Sequence, residues 1–431
     1  MPNLETQEYL IKINIAIFIA LLGIGGVIFL LSPKEDISVD EKRALAKMPI
    51  FSFEALKKGT YFKEIDNYVA DNFILRQQLT ELAGQIKALK GVALDDIQVV
   101  VENKPKSLEV ELAKPGLAKS DVVGDATTTL DAADQQPYQN VELIIIYKGR
   151  AVQMVGGSAD RMQPLSQVVS EYQQEFGSDF KIYFMAIPVG SDFYLPTKIS
   201  RGALKEKSLI DSMYSQLPAQ VIKVDAYKIL SEHVDEYIYF RTDHHWTGLG
   251  AYYAFEAFLK AANLSPLPID SLAKRTIPNF LGTLYQRTQS PVLRSSADTV
   301  EYFVIPNATK VQYFNSESTK PANSTLYAEF AKGSAGYGVF LGGDYPLLKI
   351  KSDVSNGKKI ILIKDSYGNA FAPYLASRYE EVYVIDYRYY RGNIRKLIHD
   401  NGIQNLIFAH NTYVMQSKYT ANQERSFLSK R

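Results

Sequence analysis

Residues Arg241 to Thr247 read RTDHHWT. An acid, two imidazoles and the chain's single tryptophan occupy Asp243 to Trp246, in a protein with only five histidines. Such a cluster can hold a metal ion, act as an acid–base pair, or shape a polar turn. As an acid–base pair it needs a nucleophile. A serine needs a base to take its proton, and that base needs a carboxylate to hold its tautomer. In an extended segment Asp243 and His245 would leave one face together and His244 the other. The carboxylate then supports the His245 imidazole, or the two groups sit side by side facing the serine. His244 is left to touch substrate, to support its neighbours, or simply to pack.

The look-alikes are weakened by what the sequence lacks. A two-metal phosphoesterase also uses an Asp-His-His string, but needs further Asp and His motifs to complete both metal shells. His233, His399 and His410 form no such pattern. There is no cysteine, which excludes disulfides, zinc–cysteine sites, iron–sulfur clusters, thiol catalysis and an Asp-His-His-Cys palmitoyl-transfer motif. Neither a metal nor another cofactor is expected.

Candidate partners lie further along the chain. KKIILIKDSYGN places Ser366 just past an apolar strand, at the entry to a helix. VYVIDYR places Asp386 and Arg388 past the next strand, and NLIFAHNTY places His410 and Asn411 past the last. In an open α/β sheet, ligands bind at these carboxyl ends. A serine at a strand-to-helix turn can offer its own N–H, a neighbour's N–H and the helix N-terminus to an oxyanion. Asp365 and Ser366 are equally ordinary helix caps.

The elements that must position these residues begin near Val141. Continuous apolar strands (IILI, VYVI, NLIF) alternate with helical stretches such as SQVVSEYQQEF and GAYYAFEAFLKAANL. This pattern predicts an α/β fold with a parallel sheet covered by helices on both faces. VIKVDAYKIL reads as a strand and a turn. Residues 270–357 break the rhythm with short alternating segments and read as a β-rich excursion or cap. Upstream, Ile13–Leu31 is an uncharged run, apolar except for Asn14. As a helix it would span roughly 28 Å, close to the bilayer hydrocarbon thickness. Its exit, LLSPKED, is a poor cleavage site, so an uncleaved transmembrane helix is expected after a short tail of residues 1–12. Residues 32–103 read as a membrane-proximal helical neck of short helices broken at Pro49, with a longer one from about Phe73 to Leu89. Residues 104–140 form a polar insertion, and 141–431 the main domain. Hydrophobic content of 46% and charged content of 22% describe a foldable globular chain, and a net charge of +1 lends no support to nucleic-acid binding.

YIYFRTDHHWTGLGAYYAFEAF resembles the signature of the DHHW family, which is similar to the alginate O-acetyltransferase proteins of the SGNH hydrolase-like clan. EKRALAKMP, DNFILR, FMAIPVGSDFYLP and KKIILIKDSYGNAFAPYLASRYEEVYVIDYRYY resemble further motifs of these proteins. The resemblance implies an SGNH-like fold with Ser366 as nucleophile and Asp243 and His245 as its D-x-H pair, in the order Asp, His, Ser. It implies acetyl transfer through an acyl-serine to a cell-surface or exported polysaccharide. An anchored domain outside the cytoplasm would then receive acetyl groups from a membrane-bound O-acyltransferase. His244, Trp246, Tyr367, Arg388 and Asn411 are candidates to contact substrate or support the working groups, Asn411 from its position after a strand alone. The same residues would serve a carbohydrate acetyl-esterase; a non-catalytic polysaccharide-binding subunit is the third reading.

Overall fold

The computed structural model describes residues 4–34, 37–38, 43–73, 76, 78–79, 82, 97–103, 141–196, 205–314 and 321–429. The polar insertion 104–140 and most of the helix expected over 73–89 lie outside the described residues. The chain divides into two compact units, Met1–Val92 and Ala93–Arg431.

In the first unit, α1 (Leu4–Leu31) contains the apolar run; Lys12–Leu31, with mean hydropathy 2.6, is long and apolar enough to cross a membrane. Two short strands, β1 (Ile37–Ser38) and β2 (Arg43–Ala44), pair antiparallel. They lead to α2 (Phe53–Lys57) and α3 (Thr60–Asn72). The Ser52 side chain caps α2 by accepting from the Ala55 N–H. Gly59, at φ +73°, makes the turn into α3.

The second unit opens with a three-stranded antiparallel sheet of β3 (Ile97–Asn103), β4 (Val141–Tyr147) and β5 (Arg150–Gln153). The segment read as helical to residue 103 therefore ends in a strand. IQVVV is β-branched and pairs residue for residue with β4, Val99 opposite Ile145. The remaining elements are α4 (Gln163–Phe176), β6 (Lys181–Ile187), α5 (Glu206–Gln216), β7 (Ile222–Val224), α6 (Ala226–Glu232), α7 (Gly248–Ala261), β8 (Ala273–Phe280), α8 (Thr283–Thr288), β9 (Asp298–Val304), β10 (Ala308–Phe314), β11 (Ala322–Asn323), β12 (Leu347–Ser352), β13 (Lys359–Lys364), α9 (Gly368–Leu375), β14 (Glu381–Asp386), α10 (Ile394–Asn401), β15 (Asn405–Asn411) and α11 (Lys418–Ser429). Helix α6 stands where a turn was expected; Asp225 starts it by accepting from the Lys228 N–H at 3.0 Å.

The main sheet runs β11-β10-β12-β14-β13-β15-β6-β7. Strands β14, β13, β15, β6 and β7 are parallel, as their apolar runs predict. The sheet as a whole is mixed, because β12, β10 and β11 add antiparallel strands to the β14 edge. The β-rich excursion is thus no separate cap: three of its strands extend the main sheet, and β8 and β9 pair beside it. Burial explains the division. Every residue of β15 is buried, whereas β12 alternates between buried and partly exposed positions, a pattern that suits an antiparallel edge with one wetter face. Helices cover both faces. Tyr172 of α4 packs edge-on against Phe408 of β15, and Phe258 of α7 packs against Tyr183 of β6. A smaller core joins β4 and β5 to α8 through Ile144, Ile146, Ala151, Leu284 and Tyr285.

Candidate active site

Ser366 lies in the tight turn between β13 and α9, where Asp365 and Ser366 carbonyls accept from the Gly368 and Asn369 N–H groups. The Asp365 carboxylate fastens this turn to the neighbouring strand end. Its two oxygens accept from the Tyr367 N–H at 2.9 Å and the Asn411 N–H at 2.7 Å. Burial raises the Asp365 pKa, against the opposing pull of His410 and these two amides. Among the described residues the Ser366 backbone N–H has no hydrogen-bond acceptor.

The RTDHHWT segment is a bend rather than an extended strand. Buried Asp298, at the start of β9, shapes it. Its carboxylate accepts from the Arg241 N–H, the Thr242 N–H at 2.7 Å and the Thr242 hydroxyl at 2.6 Å, and from the Tyr237 hydroxyl. Asp243 Oδ1 then accepts from the His245 N–H at 3.0 Å, closing a local turn. Asp243 and His245 therefore share a side through this turn, not through strand alternation. For the same reason His244 does not leave on the opposite face; its ring lies 3.9 Å from that of His245, centroid to centroid.

The resulting line of contacts runs from carboxylate to hydroxyl. Asp243 Oδ1 is 2.6 Å from His245 Nδ1, and His245 Nε2 is 2.7 Å from Ser366 Oγ. Asp243 and His245 are buried and Ser366 is half-buried. The other carboxylate oxygen, Oδ2, accepts from the Thr283 N–H at 2.7 Å, the first residue of α8. Gly282 permits this approach: a Cβ there would stand 2.2 Å from the Asp243 Cβ. Burial alone would raise the Asp243 pKa, but the His245 and His244 charges, with hydrogen bonds from His245 and Thr283, hold it well below the usual carboxylate range. Ligand atoms of Asp243, His244 and His245 lie within 4.8 Å of one another, as a metal site requires. Here, though, the Asp243 and His245 atoms touch at 2.6 Å, whereas bonds of about 2 Å to a shared zinc would hold them roughly 3 Å or more apart.

Three aromatic residues lock the two halves together. The Trp246 indole N–H donates to the Tyr367 carbonyl at 3.0 Å, and the Tyr367 hydroxyl donates to the His244 carbonyl. Both side chains are fully buried. Tyr337 was not legible as a site residue. Its ring stacks on His245 at 3.9 Å and 8°, while its hydroxyl donates to the Ser366 carbonyl at 2.9 Å. It sits in a glycine-rich 3-10 helix, Gly333–Val339, with no motif to mark it.

Two residues expected to contact substrate or support the working groups, Arg388 and Asn411, have partners within the chain. Arg388 forms a two-pronged pair with Asp386 at 2.8 and 2.7 Å and also meets Asp344 at 2.8 Å. Fully buried Lys364 bridges the same two carboxylates at 2.7 and 2.9 Å. Two cations and two anions thus neutralise one another beside the turn that carries Ser366, and Asn369 ties Asp344 to α9 at 2.9 Å. The Asn411 side-chain oxygen caps the following turn by accepting from the Tyr413 and Val414 N–H groups. His410 is wholly buried, 2.7 Å from Glu424 of α11.

The DHHW protein profile matches residues 121–385. A DHHW family protein from Eubacterium siraeum superposes with a TM-score of 0.61 at 30% identity, over 67% of this chain and 96% of that one. Bacillus cereus PatB1, solved with a sulfonyl adduct, superposes with a TM-score of 0.53 at 18% identity, over 64% of this chain and 96% of its own, and so shares the fold. The O-acetyltransferase domain of Pseudomonas putida AlgJ aligns over 66% of this chain and 96% of its own, at a TM-score of 0.35 and 14% identity. No curated protein matches the sequence. With more than half its length matched and a 30% identical structure nearly all of which it covers, this chain belongs to the DHHW protein family.

Proposed function

We propose that this protein is a membrane-anchored serine O-acyltransferase that places acetyl groups on hydroxyls of a cell-surface or exported polysaccharide. The observation that carries the reading is the unbroken Asp243–His245–Ser366 line, with both contacts under 2.8 Å. His245 Nε2 takes the Ser366 Oγ proton as Oγ attacks an acetyl carbonyl, and the Ser366 N–H meets the developing oxyanion. His245 then returns the proton to the leaving group, which yields acetyl-Ser366. An acceptor hydroxyl, deprotonated by His245, then attacks the ester; the acyl–Oγ bond breaks, His245 passes the proton to Ser366 Oγ, and the acetylated acceptor leaves. Asp243, ionised throughout, holds the Nδ1–H tautomer and stabilises the imidazolium. The Lys12–Leu31 helix would hold the domain at the outer side of a membrane, where a membrane-bound O-acyltransferase could supply acetyl groups.

The test is incubation of the purified protein with 4-nitrophenyl acetate and oligosaccharides, followed by mass spectrometry of protein and sugar. An acetyl group on Ser366 and then on the sugar is expected. Acetate release with no sugar acetylation would make the chain an esterase. Turnover surviving Ser366→Ala would end the serine mechanism.

A further inference from the structure

The first unit carries an apolar surface that its own packing does not use. Helix α3 has no buried residue. Tyr61, Ile65, Tyr68 and Asn72 share its half-covered face. A second stripe, Phe62, Val69 and Phe73, faces outward; these positions lie seven and eleven residues apart, within about 20° of one direction around a helix. Asp66 lies at the edge of that stripe, while Lys63, Glu64, Asn67 and Asp71 form the opposite, polar side. The stripe continues into the preceding loop and α2. Phe51 meets Phe53 and Tyr61 edge-on at 5.4 and 5.3 Å, and Tyr61 meets Phe62 at 6.0 Å. Ile50 is 91% exposed, Phe53 81% and Phe62 61%. Single exposed apolar residues are ordinary; a contiguous set on one side of an amphipathic helix marks an interaction surface.

The position of this surface names its partner. Tyr68 of α3 packs edge-on against Phe29 of α1, at 6.0 Å and 79°. Phe29 lies two residues before the end of the apolar helix, where Lys34 closes it by donating to the Phe29 carbonyl at 2.6 Å and lying over its ring. A lysine and aromatic rings at the end of a membrane-length helix are the composition of the lipid headgroup level. Helix α3 is thus held beside the level at which α1 would leave the bilayer.

We propose that the Ile50–Phe53 loop and the Phe62–Val69–Phe73 stripe form a lipid-facing foot, buried at the headgroup–acyl boundary of the membrane that α1 crosses. The foot would give the unit a second attachment and fix its tilt, which a single helix leaves free. The inference rests on α1 being a membrane anchor and not on the reaction at Ser366.

The test places tryptophan probes in the full-length protein reconstituted into phosphatidylcholine–phosphatidylglycerol vesicles, with and without bromine on the upper acyl carbons. The native Trp246 is fully buried and supplies a constant background. Leu22→Trp reports the anchor, Phe62→Trp and Phe53→Trp the foot, and Glu64→Trp the polar side of α3. Bromolipid should quench Leu22→Trp, Phe62→Trp and Phe53→Trp, shift the foot probes to the blue, and leave Glu64→Trp unchanged. Quenched Leu22→Trp with foot probes no more quenched than Glu64→Trp would overturn the foot while leaving the anchor standing. Foot probes shielded from aqueous iodide yet blind to bromolipid would assign the stripe to a protein contact instead. An unquenched Leu22→Trp would remove anchor and foot together.

Discussion

Asp243→Asn tests the site most sharply, because its effect can be worked out from three contacts. The carboxylate accepts from three donors: Oδ1 takes the His245 N–H and Nδ1–H, and Oδ2 takes the Thr283 N–H. An asparagine can satisfy only one side. With its oxygen towards His245 it keeps two hydrogen bonds and sets its NH2 against one donor. Reversed, its oxygen keeps the Thr283 N–H, and its NH2 can donate to Nδ1 once the imidazole proton moves to Nε2, so two bonds survive either way. That second tautomer turns an Nε2–H towards Ser366 and cannot take its proton. In both orientations the charge facing the imidazolium is lost. At an effective dielectric of about 20 and about 4 Å between charge centres, that interaction is worth about 4 kcal/mol, or roughly a thousandfold in rate. The assay is the acylation rate with 4-nitrophenyl acetate, alongside thermal unfolding to confirm the fold. A loss of about three decades is expected with no loss of acetyl-Ser366 as the product. Activity within tenfold of the parent would refute the assignment of Asp243 as the partner of the imidazolium.

Further outcomes follow from neighbouring contacts. Tyr337→Phe keeps the ring on His245 and removes only the bond to the Ser366 carbonyl, so it should cost about 1 kcal/mol in urea unfolding and less than tenfold in acylation. Tyr337→Ala, which also uncovers the imidazole, should cost clearly more in both assays. Gly282→Ala drives a methyl into the Asp243 side chain and should reduce acylation by at least tenfold; an unaffected rate would show that the α8 entry does not set the carboxylate's position. The depressed Asp243 pKa contributes stability that is fully present above the ordinary carboxyl value, about 3.9, and lost as pH falls through the lower folded value. The difference in thermal midpoint between the parent and Asp243→Asn should therefore shrink as pH falls below about 4.

Much of this protein is legible in its linear order. Residue type and local spacing mark the apolar helix, the parallel strands and the D-x-H and D-S motifs, because hydrophobic runs and strand-end polar residues are local features. Continuous burial on both faces requires the IILI, VYVI and NLIF strands to be central, and there they are. Edge strands are less distinctive. The half-wet segments of 270–357 carry no local sign of which strand they will pair with, and only the sheet shows that β10 to β12 extend it at β14. The same holds at the site. Ser366, His245 and Asp243 stand out by motif, but Thr283 reaches Asp243 across 40 positions of chain, Tyr337 reaches His245 across 92, and Asp298 holds the neighbouring Thr242 across 56, through contacts that no spacing rule encodes. The sequence around Arg388 likewise does not reveal that it shares Asp344 and Asp386 with Lys364. Composition and periodicity thus identify which groups can react; tertiary packing decides which are ionised, which are already paired, and which one faces the serine.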